Sequence, residues 1–289
     1  MEKKLKKISK KVNFYLNNYL SKSNYSELIT PMKYGLFPGG KKIRSKIIFD
    51  VGKIFNIQIK DLLVLAASVE SIHAYSLIHD DLPCMDDDKL RRGKLSTHMK
   101  FGESTAILAG NSLLTTAFEI LSDKNFKADN KTKSQLINLL SRCSGQTGIA
   151  GGQYLDLSYE KKKVSLQKIL EMELKKTGKL FEFCCAAPLL IKKNKKNLNS
   201  FSQIGKNIGL LFQIADDLID FKGKTKHAGK KTQKDIKKGK ATIISLLGYE
   251  NAVKYANKLK LNIYNKLKIY NKKADDLRET INFIMERNK

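Results

Sequence analysis

Apolar residues recur along the chain at the spacing of one helix face. In segments 62–77 and 204–215 they stand three, four and seven residues apart. Such spacing places apolar side chains on one side of an α-helix with about 3.6 residues per turn. The sequence lacks runs of alternating apolar and polar residues joined by hairpin turns, the pattern of β-strands. It therefore predicts an all-α protein and argues against βαβ and all-β folds.

Turn signals divide the chain into helical segments. Only four prolines occur, so long stretches are compatible with uninterrupted helix. Glycine, proline and small polar residues cluster at 38–40, 122–130, 151–152, 192–199 and 223–239. These clusters predict roughly eight to eleven helices. No segment resembles an interdomain linker, so residues 1–289 are expected to form a single domain.

The net charge of the chain excludes few classes of function. Lysine and arginine total 55 against 28 acidic residues, a formal charge of +27 that suits nucleic acid, membrane surfaces or phosphorylated substrates. Only six of these cations are arginines, whereas lysines spread along the whole chain. We interpret most of the charge as a solvated surface and regard the arginines as the more informative cations.

Cysteine usage and the amino-terminal segment indicate the cytoplasm. The four cysteines form no CxxC pair and no zinc-ligand spacing, and a chain of this length needs no disulfide bonds. The basic first eleven residues are not followed by a secretory apolar core. The longest apolar runs, such as 62–69 and 184–191, fall short of the roughly eighteen residues of a membrane span.

The first of two aspartate clusters is HDDLPCMDDD, residues 79–88. Pro83 disfavours regular helix beyond Asp81. Asp80 and Asp81 should therefore end a helix, and Asp86 should lie on a longer turn.

The second cluster is FQIADDLID, residues 212–220. In a helix, positions i and i+4 lie on one face, so Asp216 and Asp220 project together, with Gln213 one turn before and Asp217 beside them. This arrangement forms a stripe of hard oxygen ligands.

Carboxylates among apolar residues repel one another and are costly unless a cation neutralises them. Magnesium is the natural cation because it binds one or two carboxylates and completes its octahedron with water and phosphate oxygens. Calcium loops are excluded because the central glycine and terminal glutamate are missing. Arg91 and Arg92 follow the first cluster, where a guanidinium group can bind phosphate with two hydrogen bonds.

Six motifs in order resemble those of short-chain trans-isoprenyl diphosphate synthases, most closely the bacterial-type farnesyl diphosphate synthases. They span residues 39–44, 73–93, 151–157, 176–178, 212–220 and 229–240. The resemblance implies an all-α, single-domain isoprenoid synthase fold with helices around a deep central cavity, usually in a homodimer. It also implies that the two aspartate motifs face each other at the cavity mouth.

The resemblance implies roles for individual residues. Carboxylates that would hold about three magnesium ions against the allylic diphosphate are Asp80, Asp81, Asp86, Asp216, Asp217 and Asp220. Cations that would contact that diphosphate are Arg91, Lys176, Lys230 and Lys240. Residues that would hold the metal-free diphosphate of isopentenyl diphosphate are Lys41, Arg44, His73 and Arg92.

The implied reaction condenses isopentenyl diphosphate with dimethylallyl and then geranyl diphosphate to give (2E,6E)-farnesyl diphosphate. Cations draw charge off the departing diphosphate, the allylic carbon–oxygen bond breaks, and the alkene attacks the resulting carbocation. Lys176 is expected to act with Thr177 and Gln213, whose polar atoms can stabilise the carbocation.

Tyr75 and its neighbour Ser76 are expected to form the floor that limits product length. Tyr75 precedes Asp80 by five residues, about 7.5 Å along a helix. A tyrosine at this place resembles the pattern of enzymes that stop at fifteen carbons. The alternative is that Tyr75 is an ordinary core aromatic residue.

Four positions depart from the family pattern. Ser45 replaces a usual proline, Lys42 a common arginine, Asn111 a common aspartate and Gln233 a frequent glycine. None of them removes a proposed metal ligand or phosphate contact.

Rival functions remain open. A geranylgeranyl or geranyl diphosphate synthase would use the same machinery with a different floor. A terpene cyclase would lack the second aspartate motif, and a non-catalytic modulatory subunit would usually have lost one. A nucleic-acid binder is suggested by the charge and by the lysine-rich segment 254–273, but it needs converging arginine or aromatic contacts, so we expect no nucleic-acid partner.

Overall fold

The protein is built almost entirely of helices. The computed structural model describes residues 1–21, 26–226 and 242–286. Its α-helices in these ranges are α1 Glu2–Ser21, α2 Ile29–Leu36, α3 Ile43–Ile54, α4 Ile59–Asp80, α5 Thr97–Phe101, α6 Glu103–Ser122, α7 Asn130–Ser144, α8 Ile149–Ser158, α9 Leu166–Glu173, α10 Lys179–Ile191, α11 Lys195–Lys226, α12 Ile243–Leu247, α13 Tyr249–Leu267 and α14 Asp275–Glu286. The all-α prediction is confirmed.

Three shorter elements complete the described secondary structure. A ribbon pairs β1 Leu90–Arg91 with β2 Lys94–Leu95. A π-helical turn, Leu174–Gly178, lies between α9 and α10, and a 3₁₀ segment, Lys268–Ala274, lies between α13 and α14. The described helices outnumber the predicted eight to eleven because several are only one or two turns long, too short to show a full apolar period.

Contacts divide the chain into two compact units. The first comprises Met1–Leu140 and Ala187–Lys193, and the second comprises Ser141–Ala186 and Asn194–Lys289. Each therefore has its own packed interior. The single-domain organisation over residues 1–289 stays a prediction.

The first unit is organised around α4, which packs against α6, α3, α2 and α1. Its 22 residues are long and apolar enough to pass a composition test for a membrane span, the one helix among the described residues that does so. However, 72% of its most apolar window is buried inside the protein. Burial against neighbouring helices explains its composition as that of a core helix.

In the second unit, α11 packs against the π-helical turn, α13, α14 and α12. The predicted turn at Gly151 and Gly152 is wrong, because both residues lie inside α8. Their small size serves a close contact with the π-helical turn, described below, rather than a change of chain direction.

Candidate active site

The first aspartate motif begins where α4 ends. The helix stops at Asp80, as Pro83 predicted, and Asp81 caps it. The following loop folds back on the helix end: the Asp86 N–H donates to the Asp80 carbonyl oxygen at 2.8 Å and the Asp88 N–H to that of Asp81 at 3.1 Å. These bonds bring the backbone of the third predicted ligand, Asp86, to the end of the helix.

Asp81 is paired with Arg91 in this structure. The Arg91 Nε donates to both carboxylate oxygens of Asp81, at 2.9 and 3.2 Å, and its Nη2 also contacts Oδ1. Burial raises the pKa of Asp81, and the Arg91 guanidinium opposes that effect. The sequence suggested a metal for one residue and a diphosphate for the other, whereas here each neutralises its partner.

A tight hairpin holds Arg91 and Arg92. Arg92 and Gly93 form its two-residue turn with φ of 53° and 78°, the left-handed geometry that matches the twist of paired strands. Gly40 permits the Arg92 guanidinium to approach its backbone, since a methyl group at Gly40 would lie 2.5 Å from Arg92 Cζ. The hairpin therefore fixes Arg92 against the loop before α3.

Cations gather around His73. The pKa of the half-buried His73 lies well below its usual value because of burial and of the charges on Arg44, Arg92, Lys42 and Arg91. His73 is consequently neutral at physiological pH. Arg91 and Lys42 are themselves paired with Asp81 and Glu70, so Arg44 and Arg92 beside the neutral imidazole are the cations best suited to an anion of more than one charge.

Glu70 belongs to this cluster, although sequence reasoning assigned it no role. It is buried and accepts hydrogen bonds from Ser45 Oγ at 2.7 Å and from the Ser45 N–H at 3.3 Å. It also forms an ion pair with Lys42 at 3.4 Å. Burial alone would raise the pKa of Glu70, but Lys42, Ser45 and Arg44 outweigh it and lower the pKa. A charged residue in an apolar helix, three residues before His73, was the signal in the sequence. Lys41 lies half-buried in the loop just before α3.

The predicted floor residues lie on α4 within its packed region. Tyr75 is 9% exposed, and its ring meets His79 edge-on at 5.5 Å. Burial and the charge of Asp80 raise the pKa of the Tyr75 hydroxyl. Ser76 Oγ donates to the His73 carbonyl oxygen at 3.0 Å. The limit on product length remains a prediction.

The second aspartate motif lies on α11. Gln213 Nε2 donates to Asp217 Oδ1 at 3.2 Å, and Thr177 Oγ1 donates to Gln213 Oε1 at 3.4 Å. Burial raises the pKa of Asp217 to about 7, with the neighbouring charges of Asp216 and Asp220 adding to it. Three of the predicted residues thus form one hydrogen-bonded chain from Thr177 to Asp217.

The π-helical turn carries Lys176 and Thr177 and is packed through glycines. A methyl group at Gly152 of α8 would lie 2.5 Å from Lys176 Cα, and one at Gly209 of α11 would lie 2.5 Å from Gly178 Cα. Lys176 Nζ pairs with a carboxylate oxygen of Asp156 at 2.7 Å. π-Helical turns occur mostly as local insertions, frequently at functional sites.

The donor set fits magnesium. Among the described residues, no group of three or more His, Cys, Asp or Glu side chains converges as a preformed metal site. Magnesium, however, takes one or two carboxylates and fills its octahedron with water and substrate phosphate. Burial, with a smaller contribution from the charges on Asp216 and Asp220, raises the pKa of Asp217, and a bound cation would stabilise its charged form.

Two predicted phosphate contacts, Lys230 and Lys240, lie outside the described residues, as does Gln233.

Comparisons with known proteins identify the family of the chain. The polyprenyl synthetase family model matches residues 25–284. A farnesyl diphosphate synthase from Micrococcus luteus is 38% identical over 265 residues, covering 91% of this chain and 90% of that protein. The crystal structure of an FPP/GFPP synthase from Zymomonas mobilis superposes with a TM-score of 0.86 at 35% identity, covering 99% of this chain and 100% of that one.

A second solved structure was obtained with ligands. A geranyltransferase from Helicobacter pylori, complexed with magnesium and isoprenyl diphosphate, is 30% identical with a TM-score of 0.78, over 98% of this chain and 96% of that one. The family match, the relatives and the shared fold confirm the resemblance that the motifs predicted. The chain belongs to the polyprenyl synthetase family.

Proposed function

We propose that this protein is a magnesium-dependent prenyltransferase of isoprenoid biosynthesis. It condenses isopentenyl diphosphate with dimethylallyl and then geranyl diphosphate to give (2E,6E)-farnesyl diphosphate. One observation carries the proposal: on α4 and its neighbouring loops, a cluster of cations around neutral His73 lies seven residues, about 10 Å, from the carboxylates that begin at Asp80. A reaction between two diphosphate substrates needs two such binding sites, a cationic site without metal and a carboxylate site that binds metal.

The roles follow from these two kinds of site. Lys41, Arg44, His73 and Arg92 bind the diphosphate of isopentenyl diphosphate. The residues that would hold magnesium, about three ions, are Asp80, Asp81, Asp86, Asp216, Asp217 and Asp220. Arg91, Lys176, Lys230 and Lys240 contact the allylic diphosphate. When bound, magnesium supplies positive charge to the departing diphosphate.

The residues of the chain then assist one reaction, in which the allylic carbon exchanges its bond to the diphosphate oxygen for a bond to isopentenyl diphosphate. Arg91 and Lys176 stabilise charge on the diphosphate as the allylic carbon–oxygen bond breaks. The alkene electron pair of isopentenyl diphosphate forms the new carbon–carbon bond, and a proton leaves to the released diphosphate. Thr177 and Gln213, already hydrogen-bonded to each other, orient their oxygens to stabilise the carbocation without trapping it.

Tyr75 with Ser76 is proposed to end chain growth at fifteen carbons. The name of the Micrococcus luteus relative, a farnesyl diphosphate synthase, supports this product, whereas the FPP/GFPP name of the Zymomonas mobilis relative keeps a longer product as the alternative. Substituting Tyr75→Ala should lengthen the product, while Tyr154→Ala, an exposed control at 71%, should not. Unchanged product length in Tyr75→Ala would refute the proposal that Tyr75 limits chain growth.

The proposal extends to a cytoplasmic homodimer. None of the four cysteines forms a disulfide bond in the structure, which suits a reducing compartment. Size-exclusion chromatography with light scattering tests the dimer.

Release of diphosphate from wild type, Asp80→Asn and Asp216→Asn, measured across a magnesium titration, tests the enzyme assignment. Asp275→Asn is the matched control because Asp275 is exposed and pairs only at the surface with Arg278. We expect loss of turnover by at least about 100-fold in the two motif variants and none in the control. Equal turnover in all four proteins would refute the roles. Absence of turnover in folded wild type would instead favour a modulatory subunit.

A further inference from the structure

Glu70 connects two stretches of chain that carry the cation cluster. It lies on α4 at 5% exposure, three residues before His73, and receives its hydrogen bonds from Ser45 and its ion pair from Lys42. A buried carboxylate with so little solvent contact must be satisfied by the groups around it. Two of its bonds come from one residue, Ser45, which is itself fully buried.

The loop that Glu70 holds has an unusual backbone. Gly39, Gly40 and Lys42 all have positive φ, at 96°, 114° and 46°. For lysine this left-handed conformation is unfavourable, and such residues persist where surrounding contacts fix them. The Lys42 side chain is fixed by Glu70 at 3.4 Å, so the carboxylate stabilises the conformation in which the loop enters α3.

The order of residues in the loop separates anchors from ligands. Lys42 and Ser45 bind Glu70. Each is the immediate neighbour in sequence of a residue proposed to bind isopentenyl diphosphate, Lys41 and Arg44. Anchoring one residue of each pair restricts where the other can place its charge.

We propose that Glu70 is a positioning residue for isopentenyl diphosphate. It makes no contact with the substrate, and it fixes residues 39–45 so that Lys41 and Arg44 bind the same diphosphate. The inference rests on the proposed function of that site. It assigns a function to the two hydrogen bonds that the Ser45 N–H and hydroxyl donate to Glu70.

Steady-state kinetics with each substrate varied in turn test this role. In Glu70→Ala, the KM for isopentenyl diphosphate should rise on the order of tenfold, while kcat and the KM for geranyl diphosphate change by less than about threefold. Glu70→Gln still accepts from Ser45 and should recover most of the loss. Ser45→Ala should raise the same KM about threefold without altering any charge.

Ser71→Ala is the matched control, because Ser71 is buried on the same helix and its hydroxyl bonds only the Ala67 carbonyl oxygen. It should leave all three constants unchanged. A merely structural Glu70 would lower kcat and raise both KM values together. A purely electrostatic Glu70 would lower the KM for isopentenyl diphosphate when neutralised. Either result overturns the positioning role.

Two further measurements keep the test decisive. If Glu70→Ala fails to fold, as judged by circular dichroism, Glu70→Gln and Ser45→Ala carry the comparison. If folded wild type shows no turnover, the proposed function fails by itself. Calorimetric titration of inorganic diphosphate without metal then tests Glu70 separately: weaker binding by Ser45→Ala than by Ser71→Ala supports it, and equal binding refutes it.

Discussion

Gly152→Ala perturbs the contact that fixes the π-helical turn. A methyl group at Gly152 would lie 2.5 Å from Lys176 Cα and 2.7 Å from Lys176 Cβ. Ordinary carbon contacts are about 3.5–4 Å, so the turn must move by about 1 Å. Because the nearest atoms are mostly backbone, a rotamer change cannot relieve the clash.

Two opposing free energies decide the sign of the effect. Replacing glycine by alanine inside a helix normally stabilises it by about 1 kcal/mol. Overpacking costs about 1–3 kcal/mol, and a shift of 1 Å also weakens two bonds, Lys176–Asp156 and Thr177–Gln213, each worth about 1 kcal/mol. We therefore expect a net loss of about 1–3 kcal/mol in the free energy of unfolding, the opposite sign to that of helix propensity.

Urea unfolding and steady-state turnover measure both consequences. The kcat should fall by about 100-fold, since misplacing reacting groups by 1 Å has that effect. Gly145→Ala is the control, because its methyl group would meet only the Ser141 carbonyl oxygen at 3.0 Å. A Gly152→Ala protein more stable than wild type, with unchanged kcat, would refute the reasoning.

Three further predictions follow from the described contacts. Arg91→Ala should lower the free energy of unfolding by about 2–4 kcal/mol, because it leaves the buried Asp81 carboxylate unpaired, and Arg91→Lys should recover part of it; urea unfolding measures both, and equal stability of all three proteins would contradict the pairing. At pH 8 a maleimide should modify only exposed Cys84, since burial raises the pKa of the Cys143 thiol to about 12; mass spectrometry of the native protein should show one adduct, and two or more would contradict the burial. The pKa of His73 is lower in the folded than in the unfolded protein, so the unfolded state binds the extra proton. The free energy of unfolding should therefore fall as pH drops through about 6.5, by up to about 1.4 kcal/mol per pH unit. In urea unfolding, His73→Gln should lose less stability than wild type between pH 7.5 and 5.5, and an identical pH dependence would contradict the shift.

Local rules predicted the features that depend on neighbouring residues. Pro83 ends α4 near Asp80, as its missing N–H requires. Helical spacing predicted Gln213 one turn before the aspartates of α11, and Gln213 is hydrogen-bonded to Asp217, the aspartate predicted to flank the stripe. The motif resemblance supplied His73, and the structure surrounds it with charges that the sequence placed tens of residues away.

Features that depend on distant contacts were not predictable from the sequence. Gly152 looked like a turn residue, because only the backbone of Lys176, 24 positions later, explains why α8 needs glycine there. Glu70 looked like one polar position in an apolar helix until Ser45 and Lys42 were found against it. In both cases the partner lies in another helix or loop, which periodicity does not report.

Incubation of purified protein with isopentenyl diphosphate and dimethylallyl, geranyl or farnesyl diphosphate, with and without magnesium, tests the central claim most directly. Chromatography of the dephosphorylated products should show a fifteen-carbon alcohol from the first two primers, only with magnesium, and no elongation of the third. A twenty-carbon product would support prenyl transfer but contradict the proposal that Tyr75 limits the product to fifteen carbons. No magnesium-dependent consumption of isopentenyl diphosphate by folded protein would contradict the account of this protein as a prenyltransferase.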